Sequence, residues 1–246
     1  MRRVLLPLLF AAFLTAHAQP YRSSAVFTAQ YDVRGEQVDV LAAHPSVTTP
    51  RPTVILLPDR FGLGLNIRSV LSVFAGQGFR AYAISLRSAP ERPALGCPDA
   101  RIDSSDIERV ASIVADILGE KGSTGTAVLF GLDVGAYIGL RTAVRLPLFK
   151  AAAFISPVSD SLYLQELARA TFPVFIASGA DDPMLVGASI QSMRDVYLEQ
   201  GRRIDAVTYK GAGRFFFNSL HEEFRKPAMN LAWNEALRLF RSVLLP

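Results

Sequence analysis

Short, continuously apolar runs alternate along this chain with longer segments in which apolar residues recur at the spacing of a helix. The apolar runs predict strands at Thr53–Leu57, Arg80–Leu86, Thr126–Phe130, Ala151–Ile155, Val174–Ala177 and Ala206–Tyr209. The longer segments predict helices at Ile67–Gln77, Ser104–Leu118, Ala136–Arg145, Ser161–Ala170, Val186–Gln200 and Leu231–Leu244. Runs that are apolar throughout indicate a sheet that is covered on both faces. The pattern therefore predicts an α/β fold with a doubly wound, mostly parallel sheet.

Two further strand-like segments, Ala25–Tyr31 and Val38–Ala42, precede this region and flank the turn-forming pair Arg34-Gly35. They predict an N-terminal antiparallel hairpin. The sequence shows no internal repeat and no linker-like stretch, so residues 19–246 are expected to form a single domain.

The first residues have the pattern of a targeting segment. A basic pair, Arg2-Arg3, precedes the apolar run Val4–Leu14, and Ala16–Ala18 supplies a small-x-small cleavage site. The run is shorter than the roughly 20 apolar residues that span a bilayer. Gln19 follows the expected cleavage point where a lipid-anchored protein would carry Cys. We therefore expect residues 1–18 to be a signal peptide and the protein to be exported, periplasmic or secreted, with no stable membrane anchor after cleavage.

The composition argues against several kinds of partner and cofactor. Hydrophobic residues make up 50% of the 246 residues and charged residues 20%, which is typical of a globular protein. Cleavage would remove two arginines and no acidic residue, which lowers the formal net charge from +4 to +2 and argues against a nucleic-acid partner. Cys97 is the only cysteine, so no internal disulfide can form. The sequence has no metal-ligand cluster, and Gly62–Gly64 lacks the rest of a phosphate-binding loop, so we expect no cofactor and no metal.

The segment Leu129–Gly135 stands out chemically. Gly131-Leu132-Asp133-Val134-Gly135 has the form of the nucleophile elbow G-x-S-x-G, placed after a predicted strand and before a predicted helix, with Asp133 at the nucleophile position. Sites in doubly wound sheets lie at the carboxyl ends of the strands, which is where this segment falls. The geometry of an elbow is expected to remain while the usual Ser or Cys is replaced.

Four segments in order along the chain, Pro58–Leu63, Ala75–Phe79, Ser178–Pro183 and Tyr209–Arg214, resemble motifs of the dienelactone hydrolase family of α/β-hydrolases. The resemblance runs from the hairpin to the last helix. It implies an α/β-hydrolase fold and descent from an ester or lactone hydrolase.

The resemblance also implies site residues. Asp133, Asp182 and Arg214 would stand at the nucleophile, acid and base positions of the triad. The oxyanion donors would be the backbone N–H groups of Val134 and Arg60. Phe215 and Asn218 stand where family members that bind dienelactones carry a hydroxyl and an Arg, so that substrate is not expected.

Arg214 cannot serve as the base of a triad, because a guanidinium stays protonated in proteins. A general base contributes about 10²- to 10⁴-fold to rate. An Arg between two carboxylates can instead bind both, so we expect an Asp133–Arg214–Asp182 ionic lock. Asp59, Phe61 and Phe215 would complete the pocket. The sequence thus favours a degenerate hydrolase site in a non-catalytic binding or structural protein, with a small-molecule ligand and an undetermined protein partner.

An active carboxylic-ester hydrolase is the alternative, with Asp133 as nucleophile and His221, or Asp182 through a water, as base. His44, the other histidine outside the targeting segment, is expected to lie on an exposed loop. Other residues are weaker nucleophile candidates because none stands on an elbow or beside an evident basic partner: Ser85, Cys97, Ser156 and Ser178.

Overall fold

The computed structural model describes residues 25–33, 35–46, 51–86, 104–120, 127–158, 160–185, 189–202 and 204–244. The expected signal peptide at residues 1–18, the loop 87–100 with Cys97, and the turn residue Arg34 lie outside them. The division of the chain into residues 1–18 and 19–246 therefore stays a prediction.

The secondary structure alternates as the sequence pattern predicts. The strands are β1 (Val26–Val33), β2 (Glu36–Ala43), β3 (Thr53–Leu57), β4 (Arg80–Ile84), β5 (Ala127–Leu132), β6 (Phe149–Ile155), β7 (Val174–Gly179) and β8 (Ile204–Tyr209). The helices are α1 (Leu65–Gly76), α2 (Ser104–Glu120), α3 (Val134–Arg145), α4 (Ser161–Arg169), α5 (Ser189–Leu198) and α6 (Lys226–Leu244).

The strands form one sheet of eight in the order β1-β2-β4-β3-β5-β6-β7-β8. β1 pairs antiparallel with β2, and β2 pairs antiparallel with β4. The pairs from β4 through β8 are parallel. The sheet is therefore mostly parallel with an N-terminal antiparallel hairpin, which confirms the predicted fold class.

Both faces of the sheet are buried. Along β5, Leu129 packs into the cluster formed with α2, α3, α4 and α5, whereas Val128 and Phe130 pack into the cluster formed with α1 and α6. Successive residues of a strand point to opposite faces, so a strand covered on both sides must be apolar at every position. This is the physical reason for the unbroken apolar runs in the sequence.

The largest difference from the predicted boundaries is at α6. This helix begins at Lys226 and not at Leu231. Its first turn contains Pro227, which a helix tolerates there because the first backbone N–H groups have no partner within the helix. The buried spacing begins at Ala228, four positions before Ala232, but small alanines beside Pro227 give only a weak apolar signal in the sequence. No helix in the described part of the chain is both long and apolar enough to cross a bilayer.

Candidate functional site

The elbow between β5 and α3 is built as the sequence predicts. Asp133 has φ 51° and ψ −118°, a left-handed conformation that is uncommon for a residue with a side chain. A Cβ on Gly131 would lie 2.6 Å from the Cα of Ala136, and one on Gly135 would lie 2.3 Å from the carbonyl oxygen of Leu57. Only glycine fits at these two positions. The backbone is therefore that of a nucleophile elbow, with the carboxylate of Asp133 in place of the usual nucleophile.

Two arginines hold the carboxylate of Asp133. The Nε of Arg214 donates to Asp133 Oδ1 at 2.9 Å, and the Nη2 of Arg214 donates to the same oxygen. The Nε of Arg60 donates to Asp133 Oδ2 at 2.7 Å, and its Nη2 donates to Oδ1 at 3.1 Å. Asp133 and Arg214 are buried, so these charge-assisted bonds form largely out of water.

Arg214 also binds the second acid. Its Nη1 donates to Asp182 Oδ2 at 3.2 Å and to Oδ1 at 3.4 Å. Asp182 is held from its own loop as well, because its Oδ1 accepts a hydrogen bond from the backbone N–H of Met184 at 2.9 Å. The result is a continuous ion network of Arg60, Asp133, Arg214 and Asp182, in which two positive and two negative groups alternate. The contacts of Arg214 are those of the expected ionic lock.

The ion network sets the protonation of Asp133. Burial by itself raises the pKa of this carboxyl, but the hydrogen bonds and charges of Arg60 and Arg214 outweigh burial and leave the pKa below its usual value. The hydrogen bond to Asp133 in turn raises the pKa of the Arg60 guanidinium, against the smaller effect of burial. Asp133 is therefore a fully ionised, weakly basic carboxylate at neutral pH.

The expected oxyanion pocket differs from the sequence prediction. The backbone N–H of Arg60 donates to Asp133 Oδ2 at 3.3 Å, so this donor is directed at the protein's own carboxylate. An oxyanion donor must instead point to the position that the substrate oxygen will occupy. Val134, the other expected donor, is the half-buried first residue of α3. The prediction of a free donor at Arg60 is wrong, because a carboxylate is longer than a Ser side chain and reaches that N–H.

Asp59 lies beside the ion network but outside it. Its Oδ1 accepts from the backbone N–H of Phe61 at 3.0 Å, and its Oδ2 accepts from Asn218 Nδ2 at 3.0 Å. Burial raises the pKa of Asp59 to about 6, although both hydrogen bonds act to lower it. The contact with Asn218 joins the segment after β3 to the segment after β8.

Aromatic rings cover the outer side of these groups. Phe61 and Phe215 pack edge to face with ring centroids 5.2 Å apart, and the Arg60 guanidinium lies 5.4 Å from the Phe215 centroid. Phe216 and Phe217 belong to the core between the sheet and α6. A cavity of about 10 Å³ lies next to Asp133, and one of about 200 Å³ lies beside Phe61 and Asp59.

The histidines do not reach the elbow as hydrogen-bond partners. The His221 ring packs at a tilt against Phe215 and Phe61, with ring centroids 4.5 and 5.6 Å apart, and its Nδ1 accepts a hydrogen bond from the backbone N–H of Glu223 at 3.2 Å. His44 is half-buried rather than on an exposed loop, and its Nε2 lies 3.0 Å from the hydroxyl of Tyr82. Among the described residues, no histidine is hydrogen-bonded to Asp133.

The alternative serine nucleophiles lie at the carboxyl ends of strands. The hydroxyls of Ser156 and Ser178 are buried and have no hydrogen-bond partner within the described residues. Ser85 is half-buried, and its backbone carbonyl accepts a hydrogen bond from Arg109. The described residues also contain no group of three or more His, Cys, Asp or Glu side chains arranged to hold a metal ion.

Sequence reasoning missed the side chain of Arg60. It entered the sequence analysis only as a backbone donor, yet its guanidinium supplies half of the positive charge around Asp133. Glu223 was also missed, and its Oε2 accepts from the backbone N–H of Phe215 at 2.9 Å. An arginine in a strand-end loop opposite an unusual acid could have indicated the first contact. Nothing in the sequence pattern distinguishes Glu223 from a surface acid.

Comparison with known proteins places this geometry in a family. The model of the dienelactone hydrolase family matches residues 38–244. A Bradyrhizobium protein named "Probable 2-oxo-3-(5-oxofuran-2-ylidene)propanoate lactonase" is 25% identical over 235 residues, which cover 84% of this chain and 90% of that protein.

Solved structures share the fold. A Klebsiella pneumoniae protein assigned to the dienelactone hydrolases superposes with a TM-score of 0.72 at 22% identity, covering 88% of this chain and 98% of that one. A dienelactone hydrolase-like promiscuous phosphotriesterase from metagenomic libraries gives a TM-score of 0.74 at 17% identity, covering 90% of this chain and 99% of that one. The matched residues run from within β2 to the end of α6 and include the elbow at Asp133. The protein belongs to the dienelactone hydrolase family.

Proposed function

We propose that this protein is an exported member of the dienelactone hydrolase family whose hydrolytic site has become a structural ion network, and that the protein binds and does not hydrolyse. The observation that supports this proposal best is the state of Asp133. Both oxygens of the carboxylate at the nucleophile position accept hydrogen bonds from guanidinium groups.

Nucleophilic attack by Asp133 would first require these contacts to be released. Hydrogen bonds to charged groups contribute about 1.5–3 kcal/mol each. The depressed pKa of Asp133 also makes its oxygens poor electron donors. A carboxylate held in this way is a strong partner for arginine and a weak nucleophile.

Hydrolysis of a covalent adduct would require a proton acceptor to activate water. The base position holds Arg214, which cannot accept a proton, and its guanidinium is committed to Asp133 and Asp182. His221, the expected replacement base, is engaged with Phe215 and Glu223. These contacts favour a non-catalytic site over the alternative of an active ester hydrolase.

The ion network has a structural use instead. Arg60 follows β3, Asp133 follows β5, Asp182 follows β7 and Arg214 follows β8, so the network joins loops from four strands. A loop cluster fixed in this way gives a rigid surface for binding. Export is supported separately by the basic, apolar and small-residue order of the first 18 residues.

Turnover of a short-chain p-nitrophenyl ester by protein lacking residues 1–18 tests the proposal. We expect no hydrolysis above the rate in buffer, and the same result for Asp133→Asn. A double variant, Asp133→Ser with Arg214→His, restores a nucleophile and a base on the same elbow and serves as the control for substrate access. Hydrolysis by the native protein that is lost in Asp133→Asn would overturn the proposal, as would an ester-derived mass increment on Asp133.

A further inference from the structure

A cavity of about 200 Å³ opens between the start of α1 and the segment that follows β8. Its polar side chains are Asp59, Asn66, Asn218 and His221, and its large exposed apolar side chains are Phe61, Leu65 and Leu220. It shares Asp59 and Asn218 with the small cavity beside Asp133, but the arginines of the ion network do not line it. It is a separate binding volume next to the ion network.

The apolar lining is unusually exposed. The exposed fractions are 44% for Phe61, 68% for Leu65 and 67% for Leu220. Few large apolar side chains of the described residues are so exposed, and these three come from two distant segments that meet at one cavity. Exposed apolar residues gathered at a cavity, with a few polar groups beneath them, are typical of a ligand site.

The polar lining carries an unbalanced negative charge. The charges of Arg60 and Arg214 are matched by those of Asp133 and Asp182, and no described Lys or Arg forms an ion pair with Asp59. Charged and titratable groups facing Asp59 are Arg60 on its own loop, Asp133 on the elbow, and Arg214 and His221 after β8. Burial raises the pKa of Asp59, and the two hydrogen bonds and the charge of Arg60 offset this effect only in part.

One buried polar atom of the lining, the side-chain nitrogen of Asn66, has no hydrogen-bond partner among the described residues. Asn66 is buried, and its Oδ1 accepts hydrogen bonds from the backbone N–H and hydroxyl of Ser219 at 3.1 and 3.2 Å. Buried polar groups in native proteins are usually paired. An ammonium group has no acceptor, so this N–H₂ donor would pair with an oxygen elsewhere on the bound molecule.

We propose that this cavity binds a small organic ammonium compound with an apolar body. The ammonium group would face Asp59, and the apolar body would pack against Phe61, Leu65 and Leu220. The aromatic ring of Phe61, which lines the cavity, adds attraction for a cation. An anionic ligand is disfavoured because Asp59 would repel it. The inference rests on the proposed function in one respect, that the bound molecule is held and not hydrolysed.

Isothermal titration calorimetry with 2-phenylethylamine, 2-phenylethanol and 3-phenylpropanoate tests the proposal on the protein without residues 1–18. At pH 7.5 we expect saturable binding of the amine, at least tenfold weaker binding of the alcohol, and no binding of the carboxylate. At pH 5 we expect the amine to bind about tenfold more weakly, because a carboxyl with a pKa of about 6 is then mostly protonated. His221→Gln should keep this pH dependence if Asp59 is its source.

Two variants complete the test. Asp59→Asn should abolish the preference for the amine over the alcohol while the thermal melting transition is retained. Leu220→Ala should weaken binding, whereas Leu231→Ala, at an exposed position on α6, should not. Equal affinity for amine and alcohol, or amine binding that survives Asp59→Asn, would overturn the inference. Ester turnover would overturn only the proposed function, and absent amine binding only this inference, so the two failures are distinguishable.

Discussion

The ion network and the cavity lie side by side at the carboxyl end of one sheet, yet they differ in how their charges are balanced. In the ion network two guanidiniums and two carboxylates neutralise one another, and the backbone N–H of Arg60 is used as well. In the cavity Asp59 forms no ion pair within the described residues, although the charge of Arg60 acts on it, and nearby apolar side chains remain exposed. A group of charges that is satisfied internally has little left to offer a ligand. Binding is expected where the protein leaves charge and apolar surface unpartnered.

Arg214→Ala should produce the largest effect in this comparison. It leaves Asp133 with only Arg60 and leaves Asp182 without its cation, both buried. Removing one partner of a buried ion pair typically costs about 3–5 kcal/mol, so Tm should fall by roughly 10 °C. Calorimetry measures this change. Arg238→Ala is the control, since Arg238 pairs with Glu235 and Asp205 at the surface and should leave Tm nearly unchanged. Equal shifts for the two variants would contradict a structural role for the ion network.

Gly135→Ala should cause the second-largest loss of stability, because close backbone packing at the elbow positions Asp133 between both arginines. The added Cβ would lie 2.3 Å from the carbonyl oxygens of Leu57 and Pro58, which are backbone atoms that cannot move freely. We expect a loss of about 3 kcal/mol in the free energy of unfolding, measured with urea. Gly119→Ala, near the end of α2 and with nothing within 4 Å, should be neutral or slightly stabilising. A neutral Gly135→Ala would show that the elbow can relax.

Asp59→Asn should change the pH dependence of stability. The pKa of Asp59 is about 6 in the folded protein against 3.8 for an Asp carboxyl exposed to water, so the folded state binds more protons between these values. The contribution of Asp59 to the free energy of unfolding of the native protein therefore falls as pH rises from 4 to 6, by about 3 kcal/mol in all. The variant lacks this loss, so its unfolding free energy relative to the native protein should increase between pH 4 and pH 7. If the unfolding free energies of the native protein and the variant, measured with urea, changed in parallel with pH, the raised pKa of Asp59 would be contradicted.

Arg60→Ala should have the smallest effect. Asp133 keeps its bonds to Arg214, and Arg60 is the more exposed of the two arginines, with 14% of its side chain accessible against 4%. We expect a cost of about 1–2 kcal/mol in the free energy of unfolding. The double variant with Arg214→Ala should cost more than the sum of the single variants, because Asp133 would then be a buried charge with no guanidinium partner. Additive costs would mean that the two arginines act independently.

Local patterns in the sequence were enough to predict most of the strands and helices. The strand Thr53–Leu57 has the predicted boundaries, since a strand buried on both faces must be apolar at each position and polar residues mark its ends. The start of α6 was placed too late, at Leu231, because the buried residues before it are represented by the small side chain of Ala228 beside Pro227, which gives a weak apolar signal. The contact of Arg214 with both acids was predicted from chemistry, since three charged residues at convergent strand ends have few other ways to be buried.

The sequence by itself determined the alternation of strands and helices, the glycines that make the elbow, and the loss of a proton-accepting side chain at the base position. These features depend on residues close together in the sequence or on side-chain chemistry, and both can be read from the sequence directly. Only the tertiary structure decided that the Arg60 guanidinium turns to Asp133, 73 positions away, and that Asn218 meets Asp59 across 159 positions. The same holds for the cavity between α1 and the segment after β8. Such contacts depend on which side chains burial brings within a few ångströms of each other, and no local period in the sequence encodes that choice.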